Sequence, residues 1–119
     1  MVEEIKKNLQ EEIENFKQVQ KDYHKTLSRR QQLDSQMNEN ITVKEELNLL
    51  KVENKVFKLI GPVLVRQDLD EAKENVNKRM EFIKIEIKKV EDSIIKLDEK
   101  QHVHKENLDT LQKSFQQSR

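Results

Sequence analysis

The sequence is poor in the residues that build compact or catalytic domains. Its 119 residues include no cysteine, no tryptophan, one glycine and one proline. The lack of cysteine excludes a disulfide framework, a zinc knuckle and a thiol nucleophile. Hydrophobic residues make up 34% of the chain, too few for a compact core that offsets the entropy lost on folding. This composition fits either a disordered chain or long helices and coiled coils.

Charge is abundant but balanced, with 23 Lys and Arg against 23 Asp and Glu. A nucleic-acid partner would require an excess of basic residues, so we predict none. Charged residues begin at Glu3, which indicates that no signal peptide is present, and no apolar run approaches the ~20 residues of a membrane span. We therefore expect a cytoplasmic protein with no membrane partner.

The second half of the chain has the periodicity of a coiled-coil helix. Asp68 occupies a suitable N-cap position, and Glu71 three residues later completes a capping box. These signals predict a helix over about 69–117. Ten of twelve seam positions are apolar, with unbroken 4-3 spacing over six heptads. The seam consists of Val76, Met80, Ile83, Ile87, Val90, Ile94, Leu97, Gln101, His104, Leu108, Leu111 and Phe115.

The first half has a looser version of the same pattern, which predicts a helix over about 3–50. Polar residues interrupt the seams at Arg30, Asn40, Lys44 and Gln101. Such residues either fix register and partner choice or lie at local gaps in the packing. Two helices of similar length joined by a short connector can fold back on each other. Antiparallel pairing would then bring together residues whose numbers sum to about 119.

The connector between the helices predicts a β-hairpin over 55–67. It contains Gly61 and Pro62, which suit the two central positions of a type II′ turn. Apolar residues fall on both faces of this ribbon, and a two-stranded ribbon is marginal alone in water. We therefore expect an oligomerisation element that pairs with hairpins of other chains. Its members are Val56, Phe57, Leu59, Ile60, Val63, Leu64 and Val65.

The hairpin region, together with two stretches of the first helix, resembles the eukaryotic β-class prefoldin subunits. The most specific match covers residues 43–69, which include the segments 43–47 and 54–69; the helix stretches are 18–22 and 30–33. A single hairpin is typical of the β class. The resemblance implies an all-α-dominated fold, a long antiparallel two-helix coiled-coil hairpin with one β-hairpin between the helices. It also implies that residues 1–119 form a single domain.

The resemblance further implies a hexamer of two α-class and four β-class subunits whose hairpins form a double β-barrel. Tips of the coiled coils would hold unfolded proteins, chiefly nascent actin and tubulin, and deliver them to a group II chaperonin without ATP. In this sequence the candidate client-binding tip residues are Ile5, Leu9, Leu108, Leu111 and Phe115. The alternative for these five residues is ordinary packing in the seam.

No residue pattern indicates an enzyme, a metal site or a cofactor. His102 and His104 are two apart on a helix and point away from each other, so they cannot chelate a metal. The many carboxylates lie on solvated faces, and there is no glycine-rich phosphate loop. Two other functions compete with a chaperone subunit. A structural coiled-coil scaffold or tether has no use for an apolar hairpin, and a nucleic-acid factor lacks its basic stripe.

Overall fold

The computed structural model, which describes residues 1–51 and 53–118, contains two long helices joined by a β-hairpin. Helix α1 spans Val2–Leu49 and helix α2 spans Leu69–Gln117. Strand β1 spans Val56–Ile60 and strand β2 spans Val63–Gln67. This architecture confirms the predicted fold class. The chain divides into two compact units, residues 31–88 and residues 1–30 with 89–119, and its treatment as a single domain stays a prediction.

The unit of residues 31–88 has a small core that joins both helices to the hairpin. Leu47 of α1 and Ala72 and Val76 of α2 form a buried cluster. Val56 of β1 packs against this cluster, which anchors the first strand on the helices. Leu33 is the most deeply buried large side chain, with 1% of its surface exposed. Val76 is a predicted seam position of α2 and Ala72 lies outside the seam, so the 4-3 pattern accounts for part of this core.

Helix α2 begins with the cap that the sequence predicts. The backbone N–H of Glu71 donates to Asp68 Oδ2 at 3.3 Å, and the N–H of Ala72 donates to the Asp68 carbonyl at 2.9 Å. The carboxylate thereby satisfies one of the N–H groups that have no partner within the helix. Asp68 follows strand β2 directly, so the cap also fixes where the hairpin ends.

The two strands form a regular antiparallel ribbon. Ile60 pairs with Val63 next to the turn, and Val56 pairs with Gln67 at the open end. Gly61 has a φ of 58°, a left-handed value that favours glycine, and the Pro62 ring fixes its φ near −65°. A positive φ followed by a negative φ at the two central residues matches the predicted type II′ turn.

The unit formed by residues 1–30 and 89–119 pairs the first part of α1 with the last part of α2 in antiparallel register. Arg30 Nη1 donates to Glu91 Oε1 at 2.5 Å, and Glu12 contacts both His104 and Asn107. These pairs follow the predicted register within a few residues. For Arg30, the ion pair supports the interpretation that a polar seam residue fixes the alignment of the helices.

The predicted seams are observed on both helices. All twelve seam positions of α2 are buried or half-buried. On α1 the same 4-3 pattern includes Leu9, Val19, Leu33 and Leu47, which are buried or half-buried. Val2 is 41% exposed at the start of the helix, and Ile41, one residue beyond a position of the pattern, is 38% exposed. Neither helix, over the residues that the structure describes, is long and apolar enough to cross a membrane.

Candidate assembly and client-binding surfaces

The hairpin exposes apolar side chains on both faces. Opposite residues of an antiparallel pair share a face, so Phe57, Leu59 and Leu64 lie on one side, with Arg66 beside Phe57. Leu59 and Leu64 are 67% and 66% exposed. The other face carries Val56, Lys58, Ile60, Val63 and Val65. Among the seven residues predicted for assembly, Val56 alone is half-buried, and the other six are exposed.

Both edges of the ribbon are open for pairing. Along an antiparallel ribbon, pairs that bond to each other alternate with pairs whose main-chain groups point outward. The two-residue turn makes Ile60 and Val63 a bonded pair, so the next pair, Leu59 and Leu64, directs its N–H and C=O groups away from the ribbon. The same two leucines therefore offer both apolar surface and unpaired backbone groups to another chain.

The predicted tip residues are gathered in the other unit, where all five are half-buried. Ile5 and Leu9 lie on α1, and Leu108, Leu111 and Phe115 lie on α2. Their partial burial shows that each contributes to the seam. It also leaves part of each apolar side chain in contact with solvent. The assignment of these residues to client binding stays a prediction.

The two histidines have different surroundings, as their spacing predicts. His104 lies in the seam, where its Nδ1 contacts Glu12 Oε1, and Asn107 Nδ2 donates to the same oxygen at 3.4 Å. His102 lies on the surface, where Nε2 is 3.1 Å from Glu106 Oε1 one turn later. Within residues 1–51 and 53–118 no three His, Cys, Asp or Glu side chains are placed to hold a metal ion. Sequence reasoning did not single out Glu12, because its contact with His104 depends on how the two helices are aligned.

Sequence reasoning also missed an apolar side chain that lies outside the seam and lines a cleft. Phe82 is 63% exposed although its neighbour Ile83 is 6% exposed. The cleft has a volume of about 450 Å³. It is lined by Gln36, Asn40, Lys78, Arg79, Phe82 and Ile83. The available signal was a phenylalanine that breaks the 4-3 pattern, with two basic residues shortly before it.

Two long helices joined by a hairpin that exposes apolar side chains on both faces define a class of protein: helical hairpins with a two-stranded antiparallel sheet between the helices. The family model described as "Prefoldin subunit" matches residues 10–116. Prefoldin subunit 6 from Homo sapiens and from Bos taurus are each 48% identical to this chain over 118 residues. Each match covers 99% of this chain and 92% of the relative.

The chain belongs to the prefoldin subunit family. Over nearly its whole length it is similar to subunit 6 of eukaryotes, which confirms the resemblance carried by residues 43–69. The fold is also that of the prefoldin beta subunit from Thermococcus strain KS-1, with a TM-score of 0.72. That comparison covers 93% of this chain and 91% of the other, at 19% identity.

Proposed function

We propose that this chain is one of six subunits of a cytoplasmic prefoldin assembly that contains two α-class and four β-class subunits. The assembly captures unfolded nascent proteins, including actin and tubulin, at coiled-coil tips. It then delivers them to a group II chaperonin without using ATP. The family membership supports the chaperone class, and the likeness to β-class subunits supports the proposed numbers of subunits and the proposed clients.

The observation that carries this proposal is the exposed hairpin. Six of its apolar side chains are between 43% and 67% exposed, although the rest of the chain is rich in charge. Complete burial of one such side chain stabilises an assembly by about 1.5–3 kcal/mol. A coiled-coil tether would gain nothing from such a surface. A set of sister hairpins would cover both faces and pair both edges.

Substitution of Leu64 by Asp tests the role of the hairpin. Leu64 is 66% exposed in the single chain, so the carboxylate leaves the folded chain intact. In a shared sheet the same carboxylate would be buried without a partner, which costs several kcal/mol. Native mass spectrometry of the variant with its sister subunits should show loss of the hexamer, while circular dichroism retains helix.

Ile95→Asp is the matched control for this experiment. It introduces the same charge at an apolar residue that is 58% exposed and lies on α2, outside the hairpin. We expect the control to assemble as the unaltered chain does. Normal assembly of Leu64→Asp would refute the role of the hairpin, because Leu64 offers both its side chain and its main-chain groups to a neighbour.

The terminal apolar residues supply the proposed client surface. Ile5, Leu9 and Leu108 are half-buried, so they keep some apolar surface in contact with water. Capture of an unfolded chain through such surface is non-directional and reversible, which suits clients of many sequences. The charged residues between them keep the helix ends soluble.

Client capture should be indifferent to nucleotide, because hydrophobic burial alone supplies the binding free energy. Aggregation of a denatured client should be suppressed equally by the assembly in the presence and absence of ATP. ATP hydrolysis by the purified assembly, at a rate that rises with client, would contradict the proposal.

A further inference from the structure

The Phe82 cleft belongs to neither proposed surface. All six lining residues lie within the unit of residues 31–88, on α1 and α2, and none comes from the hairpin. The chain has equal numbers of acidic and basic residues, yet the lining contains two cations and no carboxylate. The cleft therefore has a chemical character that differs from the average surface of the chain.

Phe82 contributes little to the fold at this position. The seam of α2 runs through Met80 and Ile83, and Phe82 lies between them on a different face. A single exposed apolar side chain is ordinary on a protein surface. What distinguishes Phe82 is that it stands with Ile83 in a concave site whose other four lining residues are polar or positively charged.

The polar groups of the cleft are available to a ligand. Arg79 makes no hydrogen bond or ion pair within residues 1–51 and 53–118. Lys78 Nζ lies 3.0 Å from Glu74 Oε1, and both side chains are more than 60% exposed, so another carboxylate can replace Glu74 at little cost. Asn40 Nδ2 donates to the Gln36 carbonyl at 2.7 Å, which leaves the Asn40 side-chain oxygen free to accept.

We propose that this cleft binds an acidic segment of a partner protein in which a large apolar side chain is flanked by carboxylates. The apolar side chain packs on Phe82 and Ile83. The carboxylates bind Arg79, whose guanidinium presents a planar fork of donors, and Lys78. Gln36 and Asn40 supply amide groups that can bond to the main chain of the segment.

A protein segment fits the cleft better than a nucleic acid does. Affinity for nucleic acid grows with the number of phosphates that are neutralised, and it requires a stripe of basic residues. The lining offers two cations, Lys78 and Arg79, beside an apolar wall. Two cations match the carboxylates on either side of one apolar residue, and this charge complementarity selects the partner.

The full-length chain can be tested with a fluorescein-labelled peptide in which one phenylalanine is flanked by glutamates. Binding is followed by fluorescence anisotropy. We expect Phe82→Ser and Arg79→Glu each to weaken binding about tenfold, the equivalent of about 1.4 kcal/mol. A peptide with lysines in place of the glutamates should not bind. Raised salt should weaken binding of the acidic peptide.

Two control variants match these substitutions without touching the cleft. Ile85→Ser removes another exposed apolar side chain of α2, and Lys88→Glu reverses another exposed charge. Both should bind the acidic peptide as the unaltered chain does. If Phe82→Ser and Arg79→Glu bound the acidic peptide as tightly as the unaltered chain does, the proposal would be overturned. Displacement of the peptide by equimolar single-stranded RNA would overturn it as well.

The peptide experiment separates this proposal from the proposed assembly. It is performed on the single chain and repeated on the assembly with its sister subunits. Peptide binding that persists in Leu64→Asp shows that the cleft acts independently of the hairpin. Crosslinking of a photoreactive form of the peptide to the hairpin, with none near Phe82, would contradict the assignment of the cleft.

Discussion

At the scale of single residues, position within the 4-3 pattern decides what an apolar side chain does. Ile83 and Ile95 lie on the same helix, yet they are 6% and 58% exposed. Ile83 belongs to the seam and Ile95 lies one residue beyond a seam position. Identical residues with opposite environments provide a matched pair for measuring how much the seam stabilises the fold.

Replacement of Ile83 by Ala should lower the free energy of unfolding by about 2–4 kcal/mol, because it leaves a cavity between the helices. Ile95→Ala should change it by less than about 0.5 kcal/mol. Urea unfolding followed by circular dichroism, at one protein concentration, measures both. Equal losses in the two variants would show that the seam does not hold this part of the chain together.

Among residues 1–51 and 53–118, Gly61 is the one with a left-handed backbone conformation that restricts substitution. A Cβ atom added there would meet no other atom within 4 Å, so any cost comes from its φ of 58°. Gly61→Ala should destabilise the hairpin by about 1–2 kcal/mol, whereas Gly61→Asn should cost less, because Asn tolerates left-handed backbone. Thermal unfolding of the assembly compares the stability of the Gly61→Ala variant with that of the Gly61→Asn variant. An Ala variant as stable as the Asn variant would exclude backbone strain at the turn.

Seam residues could be predicted from the sequence because a fixed spacing repeats over many turns. Phe82 could not be placed in a cleft by the same reasoning. The periodicity indicates that Phe82 lies outside the seam. The walls of the cleft that Gln36 and Asn40 supply, however, depend on how α1 and α2 are aligned. The contact of Glu12 with His104 depends on the same alignment.

At the scale of elements, the boundary between hairpin and helix depends on Asp68. Its carboxylate accepts the N–H of Glu71 at 3.3 Å. Asp68→Ala should lower stability by about 1 kcal/mol, and Asp68→Ser should restore most of it, because a hydroxyl oxygen can accept the same bond. Urea unfolding of the unaltered chain and of the two variants measures these differences in the free energy of unfolding. If Ser and Ala were equally destabilising, the carboxylate would act through its charge and not as a cap.

The helices and the hairpin were predictable as elements because their signals are local. The cap at Asp68, the turn at Gly61 and Pro62, and the apolar residues on either side of that turn each occupy a few positions. Burial on each face of the hairpin was less predictable. The anchoring of Val56 on Leu47, Ala72 and Val76 requires knowledge of where the helices lie under the first strand.

At the scale of the whole molecule, we propose that assembly and client capture belong to different units. Trimming residues 1–9 and 108–119 removes Ile5, Leu9, Leu108, Leu111 and Phe115, while the unit of residues 31–88 keeps its complete sequence. The trimmed chain should still assemble. The assembly should bind unfolded actin more weakly, though not lose it entirely, because the other subunits still contribute.

A titration of labelled, unfolded actin against intact and trimmed assemblies measures this effect. Ile95→Ser in the full-length chain serves as a control that removes apolar surface elsewhere on α2. Equal affinity of the intact and trimmed assemblies would mean that the terminal residues serve only to pack the seam. The client surface would then lie on the hairpins or on other subunits.

We propose that the exposed hairpin makes this chain one subunit of a larger assembly. The most direct test is the mass of the complex that is purified with the full-length chain, measured by native mass spectrometry with identification of each component. We expect six chains of two classes, two of the α class and four of the β class, with this chain among them. A monomer, or an oligomer of this chain alone in the presence of its sister subunits, would contradict it.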